Sequence, residues 1–130
     1  ADASDLAGAD LESGSFDMVL DKSTLDAVAC TRNRMAVVKM MAEVSRVLKP
    51  GGIYLLVTLN QGLLSDPQCL RSPVFGFEVE AFPLLRTEHG AGPDERSIGG
   101  IRCTKIPEAD RLREKLLPEM LEWLEGLETM

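Results

Sequence analysis

The first fifteen residues are small and acidic, with Asp2, Asp5, Asp10 and Glu12 spaced among Ala, Gly and Ser. Such a stretch buries little surface and predicts loop or one exposed turn. Phe16-Asp17-Met18-Val19-Leu20 then forms a short apolar run, closed by the polar Asp21-Lys22-Ser23-Thr24. An apolar run without alternation predicts a strand covered on both faces, as in a parallel sheet. From Arg34 to Leu48, residues Val37, Met41, Val44 and Leu48 recur at intervals of 4, 3 and 4, and Val38 and Val47 widen the stripe. That is one face of an amphipathic helix. Lys49-Pro50-Gly51-Gly52 stops it, because Lys suits the negative helix end, Pro cannot continue the ladder and Gly tolerates positive φ. Ile53 to Leu59, rich in β-formers, is a second buried strand.

Strand, helix, tight Gly-Gly return and strand make a βαβ unit, so the two strands are expected to be parallel neighbours with a right-handed crossover. Asn60 to Pro73 reads as loop with room for a short helix. Phe75 to Leu85 and Ile98 to Ile106 read as two further strands around a polar stretch. No helical pattern separates them, so an antiparallel pair is the economical connection. From Pro107 the pattern is helical: Pro stands at the first position, Glu108 and Asp110 lie in the first turn, and Leu112, Leu116, Met120, Trp123, Leu124 and Leu127 form an apolar face. Pro118 should kink or split this helix near its middle.

Composition narrows the function classes. Of 130 residues, 45% are hydrophobic and 27% charged, the balance of one globular domain. Aromatics make up 5%, and 14 Lys and Arg stand against 21 Asp and Glu, a net charge of -7. A phosphate-backbone binder needs the opposite sign, and a single-strand platform needs stacked aromatics, so nucleic acid is not an expected partner. The longest apolar stretch is far below the roughly 20 residues that span a bilayer, and no membrane association is expected. Cys30, Cys69 and Cys103 are widely spaced and odd in number, giving neither a disulfide framework nor a CxxC metal site. Buried free thiols in a cytoplasmic, reducing compartment are the expectation. His89, the one histidine, falls in a Gly- and Pro-rich loop, and no metal site is expected.

Two segments carry a resemblance. Gly14-Ser15-Phe16-Asp17-Met18-Val19-Leu20-Asp21-Lys22-Ser23-Thr24-Leu25-Asp26-Ala27 and Glu43-Val44-Ser45-Arg46-Val47-Leu48-Lys49-Pro50-Gly51-Gly52 resemble class I S-adenosylmethionine-dependent methyltransferases. More selectively, the LDKSTLDA stretch looks like the LDKGTLDA of a methyltransferase-like group that includes lysine and amino-terminal methyltransferases acting on translation elongation factor 1-alpha. Ser23 replaces that group's Gly. The resemblance implies an α/β fold class: the carboxy-terminal half of a Rossmann-like methyltransferase sheet, a parallel βαβ unit followed by an antiparallel strand pair, with a carboxy-terminal helix. Residues 1–106 would be a partial methyltransferase domain, and residues 107–130 a helical extension outside the family pattern. A GxGxG-type loop between a strand and a helix is not found, since Gly51-Gly52 ends a helix and Gly99-Gly100 starts a strand. This chain alone is therefore expected to bind cofactor weakly and to be inactive.

The same resemblance implies S-adenosylmethionine as cofactor and a protein substrate, a translation factor among the candidates. On the cofactor side it places Asp2, Ala3, Leu20 and Asp21, with the side chain of Asp2 and the backbone of Ala3 reading the adenine edge. From their place at the strand end, Asp21, Lys22 and Thr24 are the catalytic candidates. Asp21 stands at the carboxyl end of a parallel strand, where open α/β sheets bind ligands. A carboxylate there can orient an amine acceptor, or it can cap the short helix expected from Ser23 to Cys30. Lys22 is either a cofactor or substrate contact or a solvated strand-end lysine, and Thr24 either lines the cleft or packs. Asp26 reads as a structural or surface acid, Asp17 as an acid hydrogen-bonded to a neighbouring loop, and Trp123 as a core or interface anchor. A non-catalytic methyltransferase-like module or half-domain stands as the alternative to an enzyme. A sheet beginning at this strand would also expose an edge, which predicts self-association.

Overall fold

The chain was analysed as a computed structural model that describes residues 11–22, 24–30, 33–58, 68–86 and 97–128. Strand β1 (Phe16–Lys22) leads into a short helix, α1 (Thr24–Cys30), and then into α2 (Arg34–Val47). Asn33 starts α2 by accepting the Ala36 amide on its side chain at 3.1 Å, which satisfies one of the orphan donors of the first turn. The helix ends at Leu48, whose φ of -76° and ψ of 141° already belong to the next strand, β2 (Leu48–Thr58). A 3-10 turn (Gln68–Arg71), strands β3 (Phe77–Arg86) and β4 (Ser97–Lys105) and a long helix, α3 (Ala109–Glu128), complete the described chain.

The expected βαβ unit is present: β1 and β2 pair in parallel, with Val19 opposite Tyr54 and Asp21 opposite Leu56. The return through Lys49-Pro50-Gly51-Gly52 does not leave the sheet. It is a bulge within β2, because Phe16 already pairs with Leu48 and Met18 next pairs with Ile53. Gly51 takes a positive φ of 84° inside it, and Asp17 reaches sideways to pair with Lys49 at 3.4 Å. Strands β3 and β4 form the expected antiparallel pair, but the sheet order is β1-β2-β4-β3. The last strand thus inserts against β2, which the element order alone did not reveal. Pro83 falls on β3, the outer strand, where its missing N–H disrupts no inner ladder.

The described helices do not sandwich β1. Its burial alternates, with Val19 and Asp21 fully buried while Met18 is 44% exposed, so the expected two-sided cover is corrected to one side. Strand β2 behaves similarly: Tyr54, Leu56 and Thr58 face the core, and Ile53, Leu55 and Val57 are half-buried. Met41, Val44 and Val47 of α2 and Ile101 and Cys103 of β4 close that core, with Tyr54 and Phe77 rings 6.3 Å apart. Cys103 is a buried thiol outside any disulfide; the side chains of Cys30 and Cys69 lie outside the described residues, as does His89.

Helix α3 runs unbroken through Pro118, so the expected split does not occur. Core packing on both sides of the proline, through Leu116 and Leu117 before it and Met120 after it, outweighs one lost backbone bond. The packed face also differs from the apolar count. It includes the buried Arg113, and this leaves Leu127 exposed and Trp123 63% exposed, which rules out Trp123 as a core anchor.

Arg113 belongs to a polar network at the amino end of β2. The Lys105 side chain, 1% exposed, donates to the Leu48 carbonyl at 2.5 Å and pairs with Asp110 at 2.8 Å. Arg113 bridges Asp110 at 2.8 Å and Ser45 Oγ at 2.9 Å, and Ser45 in turn donates to the Phe75 carbonyl at 2.8 Å. Burial works to raise the Asp110 carboxyl, but hydrogen bonds from Lys105 and Arg113 hold it below the usual carboxylate range. Asp110→Ala leaves a buried ammonium half-partnered and should cost about 2–3 kcal/mol in urea unfolding. Because the folded carboxyl titrates low, the stability it supplies is present above the ordinary carboxylate range and is lost as pH falls through its lowered value. The deficit of the variant should therefore shrink in acid.

Gly76 (φ 66°) lies against the first turn of α3, where an added Cβ would stand 2.4 Å from Ala109 Cβ and 2.5 Å from its Cα. Gly14 (φ 63°) has nothing within 4 Å of the same position. Gly76→Ala combines backbone strain with a clash and should lose about 3 kcal/mol or more. Gly14→Ala carries the strain alone and should lose about 1 kcal/mol by the same measurement.

Candidate functional site

The carboxyl ends of β1 and β2 lie side by side, and the chain turns there from β1 into α1. Asp21 sits at that junction with no exposed surface. One oxygen, Oδ1, accepts the Thr24 amide at 2.6 Å; the other, Oδ2, accepts the Leu25 amide at 3.1 Å and the Tyr54 hydroxyl at 2.5 Å. Two of these donors are the free amides of the first turn of α1, so Asp21 caps that helix. Burial is the main influence on its carboxyl and raises it, while hydrogen bonds from Tyr54, Thr24 and Leu25 oppose the rise and nearby Asp26 adds to it; the net direction is upward. Burial first, and then the charge of Asp21, push the Tyr54 phenol far above its ordinary value, so it serves as a donor throughout the accessible pH range.

One turn further on, Thr58 donates to Asp26 at 2.6 Å, a second tie from β2 to α1. Asp26, expected as a structural or surface acid, is thus held to the sheet. Lys22 is exposed between the two ties, and Thr24 and Leu20 are half-buried. The structure therefore gathers Leu20, Asp21, Lys22 and Thr24 at one strand end. Asp2, Ala3 and Ser23 lie outside the described residues. Tyr54 and Thr58 were not picked out from the sequence. Their signal was two hydroxyls four residues apart on the buried face of an otherwise apolar strand, a pattern that calls for buried acceptors.

The fold, an open α/β sheet with its turn at the carboxyl ends of parallel strands, defines a class that places ligands at this end. Residues 1–56 match the methyltransferase domain family. A zebrafish (Danio rerio) eEF1A lysine and N-terminal methyltransferase is 52% identical over 50 residues, covering 38% of this chain and 7% of that protein. Its mouse (Mus musculus) counterpart is 42% identical over 95 residues, covering 71% of this chain and 13% of that protein. The chain thus spans a small fraction of the length of these relatives. Among solved structures, a Thermotoga maritima SAM-dependent methyltransferase aligns with TM-score 0.51 at 18% identity, over 77% of this chain and 61% of that one. A Thermus thermophilus protein assigned as a DNA modification methylase aligns with TM-score 0.56 at 19% identity, over 80% and 50%. At those identities the structural likeness shows the fold. The chain is thus similar over part of its length to S-adenosylmethionine-dependent methyltransferases, as its motifs implied, and S-adenosylmethionine is the cofactor that the resemblance brings.

The described residues do not by themselves fit that cofactor. The one carboxylate at the end of β1 is sealed from solvent and shared among three donors of the protein itself, so it has no oxygen turned toward a ligand. Among the described residues no three His, Cys, Asp or Glu side chains converge on a metal site.

Asp21→Ala strands the Tyr54 hydroxyl and two amides and should cost about 2–3 kcal/mol in urea unfolding, more than Asp21→Asn, which keeps one acceptor. The folded carboxyl titrates above the unfolded one, so its contribution is full at low pH and declines as pH climbs from about 4 through the raised value. The stability gap between wild type and Asp21→Asn should accordingly narrow over that rise.

Proposed function

We infer that this chain forms the acceptor side of an S-adenosylmethionine-dependent methyltransferase that acts on a protein amine, a lysine or an amino terminus, within a longer catalytic unit. The observation that carries the reading is the junction of β1 and α1, where Asp21 accepts the Thr24 amide at the carboxyl ends of parallel strands, inside the segment that matches the methyltransferase domain family. The names of the similar zebrafish and mouse proteins support a protein amine as acceptor. Methyl transfer requires an acceptor held in line and deprotonated. In this reading Lys22 and Thr24 contact the acceptor segment, and Leu20 forms part of the wall beneath it. Asp21 shapes the turn from within. Asp2 and Ala3 keep the cofactor-side role that the resemblance implies. An acidic protein with net charge -7 also suits a basic protein substrate through long-range steering.

A second reading, a non-catalytic module acting through protein contacts, is favoured by the sealed Asp21 carboxylate. The two separate in one experiment. The full-length protein, given radiolabelled S-adenosylmethionine, should label purified elongation factor 1-alpha or the proteins of an extract from cells lacking the enzyme; no label on either excludes the catalytic reading. Residues 1–130 alone should bind the cofactor on the order of a thousandfold more weakly than a micromolar site, because the resemblance gives many polar cofactor contacts to a GxGxG-type loop that this sequence does not contain, and losing about five at roughly 1 kcal/mol each has that effect. Isothermal titration giving micromolar affinity for this chain alone would contradict that.

A further inference from the structure

Tyr54 and Thr58 stand on one face of β2, both fully buried, with Leu56 between them. Each hydroxyl donates to an acid of the segment that follows β1: Tyr54 to Asp21 at 2.5 Å and Thr58 to Asp26 at 2.6 Å. A buried hydroxyl is costly unless it is matched, and Phe or Val would fill the same space without that cost. The two acids bracket the turn, Asp21 before Lys22-Ser23-Thr24 and Asp26 after it. Asp21 also accepts the amides of Thr24 and Leu25, so the pull of Tyr54 passes directly into the first turn of α1. The end of β1 and the first two turns of α1 are thus both anchored to β2.

We propose that Tyr54 and Thr58 are positioning residues of the candidate site: without touching substrate, they act through Asp21 and Asp26 to fix the end of β1 and the start of α1, which carry Lys22 and Thr24. This rests on the functional reading above and adds two residues from the neighbouring strand to it. Neither substitution empties the core. Tyr54→Phe keeps the ring, and Asp21 retains its two backbone donors; Thr58→Val keeps the shape and loses the hydroxyl.

The full-length protein and its Tyr54→Phe, Thr58→Val and Thr58→Ser variants would be compared in two measurements. Amide exchange should quicken about tenfold at Thr24 and Leu25 in Tyr54→Phe, with the Leu56 amide unchanged. In methyl transfer to the acceptor labelled by wild type, kcat/KM should fall about tenfold in Tyr54→Phe and Thr58→Val, with cofactor affinity within about twofold of wild type. Thr58→Ser, which restores the hydroxyl, should return to the wild-type value. Wild-type kcat/KM in both deletion variants overturns the positioning role, as does faster exchange spread evenly over β2 and α2, which would mark a general loss of stability. A wild-type protein that labels no acceptor overturns the functional reading and the positioning role with it, whereas a labelling wild type with unaffected variants overturns the positioning role alone.

Discussion

The described structure is organised around the central strand β2, which is hydrogen-bonded along both edges and buried on one face. A strand in that position must start and stop inside the protein, and polar groups at its two ends have to be satisfied without water. At the amino end the Leu48 carbonyl is met by the Lys105 ammonium, which draws in Asp110, Arg113 and Ser45. At the carboxyl end the Tyr54 and Thr58 hydroxyls are met by Asp21 and Asp26. The apolar middle, Tyr54 ring to Ile101 and Cys103, holds the layers together, and the two polar ends fix how the helices sit on it.

Those two ends differ in chemistry, and the difference divides stability from function. The Lys105 network contains full charges and ties α3 to β2 and β4, so it determines whether the last helix stays docked. The Asp21 and Asp26 ties join acids to hydroxyls and hold the start of α1 to β2 at the end where open α/β sheets bind ligands. The Asp21 carboxylate at the end of β1 is occupied by the Tyr54 hydroxyl and by two amides of the first turn of α1. Beside these ties Lys22 is exposed and Thr24 half-buried, while Asp21 is fully buried and Asp26 partly so.

Much of this architecture was legible because its signals are local. The 4-3-4 spacing from Val37 to Leu48 and the Lys49-Pro50-Gly51-Gly52 stop located α2 and the parallel return, and the polar stretch between the last two strands gave their antiparallel pairing. The insertion of β4 between β2 and β3 was not legible, since strand order depends on which edges meet in space rather than on any pattern along the chain. The apolar run of β1 also misled: with Met18 open to solvent, the run shows only that hydrophobic residues are tolerated outside, a weaker statement than burial on both faces. The strand-end position of Asp21 was read correctly from the chain, while its partners Tyr54 and Thr58 were not, because a hydroxyl in a strand does not announce which acid it will meet.

The misjudged face of α3 has the same root. Counting apolar positions placed Trp123 and Leu127 toward the core and ignored Arg113, yet the guanidinium is inside because two oxygens, from Asp110 and Ser45, wait for it. Once Arg113 fixes the rotation of the helix, the residues near its far end follow, and Trp123 turns to the rim. A buried cation thus sets the helix phase more firmly than an aromatic side chain does, since an unpaired charge inside costs more than an exposed indole. The same hierarchy operates further along β2, where two hydroxyls inside the fold are matched by Asp21 and Asp26 and hold the start of α1 to the sheet.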